Sequence, residues 1–196
     1  SESAQEAKER HNELVDSFVE SEKTFQENSN STKELIDRYE ELKSKGVLVK
    51  EEQAELSRIT KQLAKDYPLA VTELDAFGNA AVINTDKIRG LVNEQINLRN
   101  QERQQLEEIQ RREVKATEGK LKQIEEIRNA EGFNHRSITD NLGRQINLYR
   151  RRNNTIEVRV DGNFVDENRE LITLLEIQKG LTQELGKQKA NLAELD

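Results

Sequence analysis

"DYPLAVTELDAFGNAAVINTDKI", Asp66 to Ile88, interrupts a chain that is otherwise charged and helix-prone. It holds the one proline, Pro68, and a run of small and β-branched residues. Tyr67 precedes the proline and is pushed out of the α region, so a helix must end there. Gly78 and Asn79 tolerate positive φ. They predict a short β-hairpin or wide turn between Val71, Thr72 and Leu74 on one side and Ala81, Val82 and Ile83 on the other. Asn84 or Thr85 then caps a long helix, with Asp86 favourably placed in its first turn. The stretch reads as a joint between helices, without a cluster of ligand-grade side chains.

Composition agrees with a helical frame. Of 196 residues, 33% are apolar, 35% charged and 4% aromatic, whereas a globular domain is roughly 45–50% apolar counting glycine. Such a chain suits long helices that bury one narrow seam. The 31 basic and 38 acidic residues give a net charge of −7 and are interspersed, which argues against a nucleic-acid platform. Without cysteine there are no disulfides and no thiolate metal sites. No apolar run approaches the roughly 20 residues that cross a bilayer, and no signal-peptide pattern is visible. Both ends, "SESAQEAKERHNELVDSF" and "GKQKANLAELD", stand in helical pattern, so we expect a segment cut from a longer polypeptide.

The fold class expected is mostly α: long helices, antiparallel helical hairpins or coiled coil, and one or two short β-hairpin insertions. From Ala4 to Leu42 a heptad places Ala4, His11, Phe18, Phe25, Thr32 and Tyr39 at a, and Ala7, Leu14, Ser21, Asn28, Leu35 and Leu42 at d. The seam weakens at "NSNST", where Ser31 and Glu34 form a candidate capping box. Gly46 suits a helix C′ position. A second helix carries Leu56, Ile59 and Leu63 on one face. Residues 1–66 are therefore read as a helical hairpin, with a break near 28–32 and a turn near 44–49. Residues 67–84 form the insertion, 85–131 a long helix, and 132–153 a short helix with Ile138, Leu142, Ile146 and Tyr149 as its stripe.

A second island, "TIEVRVDGNFVDENREL", alternates Ile156, Val158 and Val160 with Glu157 and Arg159, and Asp161-Gly162 is a type I′ turn signal. It predicts a second β-hairpin over 154–166. The closing helix, 167–196, sets Leu171, Leu174, Leu181, Leu185, Leu192 and Leu195 at a and d, with Gln178 and Gln188 completing the frame. The turns at Gly78-Asn79 and Gly162-Asn163 give the two islands a common plan, that of either a degenerate repeat or two unrelated turns of similar sequence.

Chemistry-bearing patterns are sparse. His11 falls on the seam and His135 in a loop, neither with metal-ligand spacing. Phosphate loops and nucleophile elbows are absent. Asp161, Asn163 and Asp166 lack EF-hand spacing. "YRRRNN", with Arg136 and Arg144, is the one locally basic zone and reads as a solvated helix end. No catalytic, cofactor or metal residue is assigned, so the expectation is a non-enzyme without cofactor or small-molecule substrate.

Between Ser31 and about Gln105 the chain resembles phage tail tape measure proteins. The pattern is "LIDRYEEL", a short loop, "EEQAELSRITKQLAKDYP", a D-x-x-G-N-A turn and a helix opening "NTDKIRGLV". The resemblance implies a long, helical, oligomeric protein of a phage or prophage. Such proteins lie in the tail lumen, set tail length as the tube assembles and leave before DNA passes. It further implies tail tube and tail assembly proteins as partners, and location in the virion tail, or in the host cytoplasm during assembly. Lytic domains occur elsewhere in some members, but no such motif stands here. The alternative is a non-phage bacterial coiled-coil scaffold or the helical stalk of a secreted effector.

Overall fold

The computed structural model describes residues 3–132 and 134–196; residues 1, 2 and 133 of the expected elements lie outside the described residues. The architecture is mostly α. Among the described residues there are four α-helices: α1 (Ala4–Ser44), α2 (Lys50–Asp66), α3 (Thr85–Asn129) and α4 (Glu170–Leu195). Two antiparallel sheets accompany them. One pairs β1 (Val71–Leu74) with β2 (Ala80–Ile83). The other runs in the order β3 (Asn134–Thr139), β4 (Gln145–Arg150), β5 (Ile156–Val160), β6 (Asn163–Phe164). The chain divides into two compact units, residues 20–102 and residues 1–19 with 103–196.

The 20–102 unit closes on one apolar core. Ile36, Tyr39 and Leu42 of α1 meet Ile59 and Leu63 of α2, Ala70, Ile83 of β2, and Ile88 and Val92 of α3. Pro68 opens a 3-10 turn at Pro68–Ala70 directly after α2. Asn84 is the cap of α3, its Oδ1 accepting from Lys87 N at 3.1 Å. The Tyr39 hydroxyl accepts from Ile83 N at 3.0 Å, which ties the β-hairpin to α1. Arg89 reaches Asp37 and Glu40 of α1 at 2.9 Å each, and Arg38 reaches Glu55 at 2.6 Å.

In the other unit the sheet lays Ile138, Ile146, Leu148 and Val158 against Ile124 and Ile127 of α3 and Leu174, Ile177 and Leu181 of α4. Arg150 Nη1 donates to the Ile127 and Arg128 carbonyls at 3.0 and 2.9 Å, satisfying the C-terminus of α3. A smaller apolar cluster joins Val15, Phe18, Leu106 and Leu195.

Three expectations are corrected. First, α1 has no break at 28–32. Its polar residues there remain helical, because Asn, Ser and Thr lose only a few tenths of a kcal/mol to Ala in a helix interior. Second, residues 132–153 are a β-hairpin, β3 and β4, instead of a helix. Asp140-Asn141-Leu142-Gly143 forms a tight turn with Gly143 at φ 79°, and Ile146 and Leu148 alternate with outward residues at strand period. Third, Gly46 lies in a bend beyond α1 and is not among the glycines with positive φ. The end of α1 is held instead by Ser44 Oγ donating to Glu41 O at 2.7 Å and Lys45 N donating to Leu42 O at 3.3 Å.

Candidate functional site

In α4 the buried residues are Glu170, Leu174, Ile177, Leu181, Gln188, Asn191 and Leu195, with Glu184 largely covered. Their spacing alternates three and four, the period of a helix facing other helices. After Glu170 this line is apolar at Leu174, Ile177 and Leu181, polar at Glu184, Gln188 and Asn191, and apolar again at Leu195. On α3 the matching line runs Leu106, Gln110, Glu113, Thr117, Lys120 and Ile124, with Gln110 and Thr117 fully buried. Residues 4–19 of α1 complete the group with Lys8, His11, Val15 and Phe18. A polar stretch thus lies between the two apolar clusters of this unit.

Its hydrogen bonds link all three helices. His11 Nε2 lies 2.9 Å from Gln110 Oε1, which also accepts from Asn191 Nδ2 at 3.4 Å. Asn191 Nδ2 donates to Asn12 Oδ1 at 2.9 Å. Lys8 Nζ donates to Glu184 Oε1 at 2.7 Å, and Gln188 Nε2 to the same oxygen at 3.2 Å. In this stretch, among the described residues, four buried atoms have no hydrogen-bond partner: Gln110 Nε2, Glu184 Oε2, Gln188 Oε1 and Asn191 Oδ1. Each such group costs roughly 1–3 kcal/mol. Burial pushes the Glu113 carboxyl above the usual carboxylate range, opposed by the charges of His11 and Lys8. Burial likewise pushes the Lys120 ammonium below its ordinary value. Opposed ammonium and carboxylate groups, amides and one imidazole are suited to recognising a complementary polar helix face.

The outer face of the β3–β6 sheet carries a second feature. His135 stacks on Tyr149 with ring centres 4.3 Å apart and planes within 8°. The Arg159 guanidinium lies 4.6 Å from the Tyr149 ring centre and 4.3 Å from that of Phe164. One residue from each strand builds this ladder, which stiffens the sheet. The basic zone is mostly occupied. Arg144 binds Asp140 at 2.8 Å, Arg151 binds Glu170 at 3.1 Å, Arg136 binds Glu126 at 3.5 Å, and Arg150 caps α3.

The repeat expected between Gly78-Asn79 and Gly162-Asn163 is corrected too. Asp161 and Gly162 both have positive φ, 50° and 82°, as a type I′ turn requires. The counterpart of Asp75–Asn79 is Asp140–Arg144. In each turn the aspartate Oδ1 accepts two backbone N–H bonds, from Phe77 and Asn79 in one and from Leu142 and Arg144 in the other. In each the aspartate N bonds the fifth residue's carbonyl, and the glycine N bonds the aspartate carbonyl. Both turns leave an apolar side chain outside, Phe77 at 90% and Leu142 at 62% exposure.

Of the expected seam residues, Phe18, Tyr39, Leu42, Ile59, Leu63, Leu174 and Leu181 are buried. Phe25, Leu35, Leu56 and Leu185 are partly covered. Leu14 and Leu171 are corrected: they are 50% and 62% exposed, and the buried positions beside them belong to Val15 and Glu170. Gln110, Thr117 and Asn191 are not among the expected seam residues, whereas His11 and Gln188, which the expected frames do include, are buried. The signal for Asn191 was the continuation of α4's three-and-four spacing past Leu181.

Among the described residues, no group of three or more His, Cys, Asp or Glu side chains is arranged to hold a metal ion. Among the described residues no helix is long and apolar enough to cross a membrane. No known family matches the chain, and no curated protein or solved structure is significantly similar to it.

Proposed function

We propose that the chain is a structural segment of a phage or prophage tail tape measure protein, which helps set tail length and scaffolds tube assembly through helical self-association. The observation that supports this reading is the polar stretch in register across α1, α3 and α4. Polar residues at coiled-coil seam positions lower stability and select partner and register. Helices of this kind serve assembly, where the right neighbour matters more than maximal stability. A helix advances about 1.5 Å per residue, so a long helical chain turns residue count into length.

The test is an in-frame deletion of residues 20–102 in the encoding gene, with tails measured by electron microscopy. Shortened tails are expected. Tails of unchanged length, or a gene whose neighbours encode no tail tube or baseplate proteins, would overturn the reading in favour of a non-phage scaffold.

A further inference from the structure

Residues 4–19 of α1 are held on α3 and α4 differently from any other helical segment here. Only Val15 and Phe18 of this segment are buried apolar residues. Val19 packs partly against the same small cluster, and the remaining attachment is polar. Lys8 binds Glu184, His11 meets Gln110, Asn12 accepts from Asn191, and Asp16 lies 3.8 Å from Lys187. Docking it encloses Gln110 Nε2 and Asn191 Oδ1 without partners, so closure leaves polar groups worse served than in water.

We propose that residues 4–19 form a detachable strap, and that the groove it leaves on α3 and α4 accepts the same strap from a second copy of this chain. Complementarity names that occupant. The groove offers a carboxylate at Glu184 opposite an ammonium at Lys8, and an ammonium at Lys187 opposite a carboxylate at Asp16. An identical strap restores every one of these bonds, so exchange changes connectivity without changing contacts, the logic of domain swapping. Opening is easy because few apolar contacts are broken and the freed polar groups regain solvent. The inference rests on the self-association reading and specifies its route.

The chain has no cysteine, so single cysteines can be placed at will. One preparation carries Lys8→Cys and another Glu184→Cys. They are mixed, incubated and treated with a short bis-maleimide. A second mixture, Asp37→Cys with Arg89→Cys, probes a contact pair of the 20–102 unit. Covalent dimers are expected in the first mixture and not in the second. The half-exposed pair Asp16→Cys and Lys187→Cys repeats the test without touching buried positions. Light scattering on the unsubstituted chain accompanies it. Association without strap cross-links, or equal cross-linking in both mixtures, overturns strap exchange and leaves self-association standing. A chain that stays monomeric at every concentration overturns both.

Discussion

Helix α1 passes through two environments. At Ile36, Tyr39 and Leu42 it meets a core of nine buried residues that is almost wholly carbon. At Lys8, His11 and Asn12 it meets Glu184, Gln110 and Asn191. The first contact is non-directional and gains with every covered methylene. The second depends on donors and acceptors falling in place, and part of it goes unsatisfied. One helix thus carries an anchored region and a selective one, the difference lying in a few side chains at seam positions.

The contrast predicts opposite responses to substitution. Ile36→Ala and Leu181→Ala, both fully buried, should each destabilise by about 2–5 kcal/mol in denaturant titration. Changing His11, Gln110 and Asn191 together to leucine should stabilise by roughly 1–4 kcal/mol, as when buried polar groups yield to well-packed apolar ones. Gln110→Leu alone should destabilise by roughly 1–3 kcal/mol, because His11 and Asn191 lose their shared acceptor. If single and triple changes act in the same direction, the polar stretch is not a connected network.

Gly180 sharpens the picture at the upper end of α4. A Cβ there would lie 2.2 Å from Asn141 Oδ1, in the β3–β4 turn. Gly180→Ala must push the Asn141 side chain aside, which should offset most of the helix-propensity gain of about 1 kcal/mol. Adding Asn141→Ala should release that gain, as read from urea midpoints.

The smallest effects are in pH dependence, where the two regions differ in sign. Glu113 has a raised folded value. Its contribution is fully present below its ordinary 4.5 and is lost as pH rises through the raised value. Glu113→Gln should therefore raise the melting midpoint at neutral pH and lose that advantage in acid. Glu52 and Glu55 are held low by Lys45 and Arg38 respectively. Their contribution is present above 4.5 and is lost as pH falls through the depressed values. Glu55→Gln should thus flatten the acid limb of the stability curve. A flattened alkaline limb would contradict the assignment.

Much of this was legible in the residues. Pro68, Gly78 and Asn84 mark the first joint by backbone chemistry alone, and Asp161-Gly162 marks the β5–β6 hairpin. The β3–β4 hairpin was missed because Ile138, Leu142, Ile146 and Tyr149 also fit helical spacing. The arbiter is the Asp140–Gly143 turn, whose aspartate accepts the N–H groups of Leu142 and Arg144. The seam was half legible. Phe18, Tyr39, Leu174 and Leu181 stand out, but Leu14 and Leu171 draw the second line one position away from the buried Val15 and Glu170. Hydrophobicity points to leucine wherever it occurs. Which face is buried is decided by the neighbouring helices, and here they cover Gln188 and Asn191 while leaving Leu171 outside.

Native-state hydrogen exchange on the unsubstituted chain tests the central claim most directly. The amides of residues 8–18 and of residues 36–42 belong to the same helix. The account predicts that the first set exchanges through a local opening, with protection well below that of the second set. Equal protection, with both sets exchanging only through complete unfolding, would contradict it.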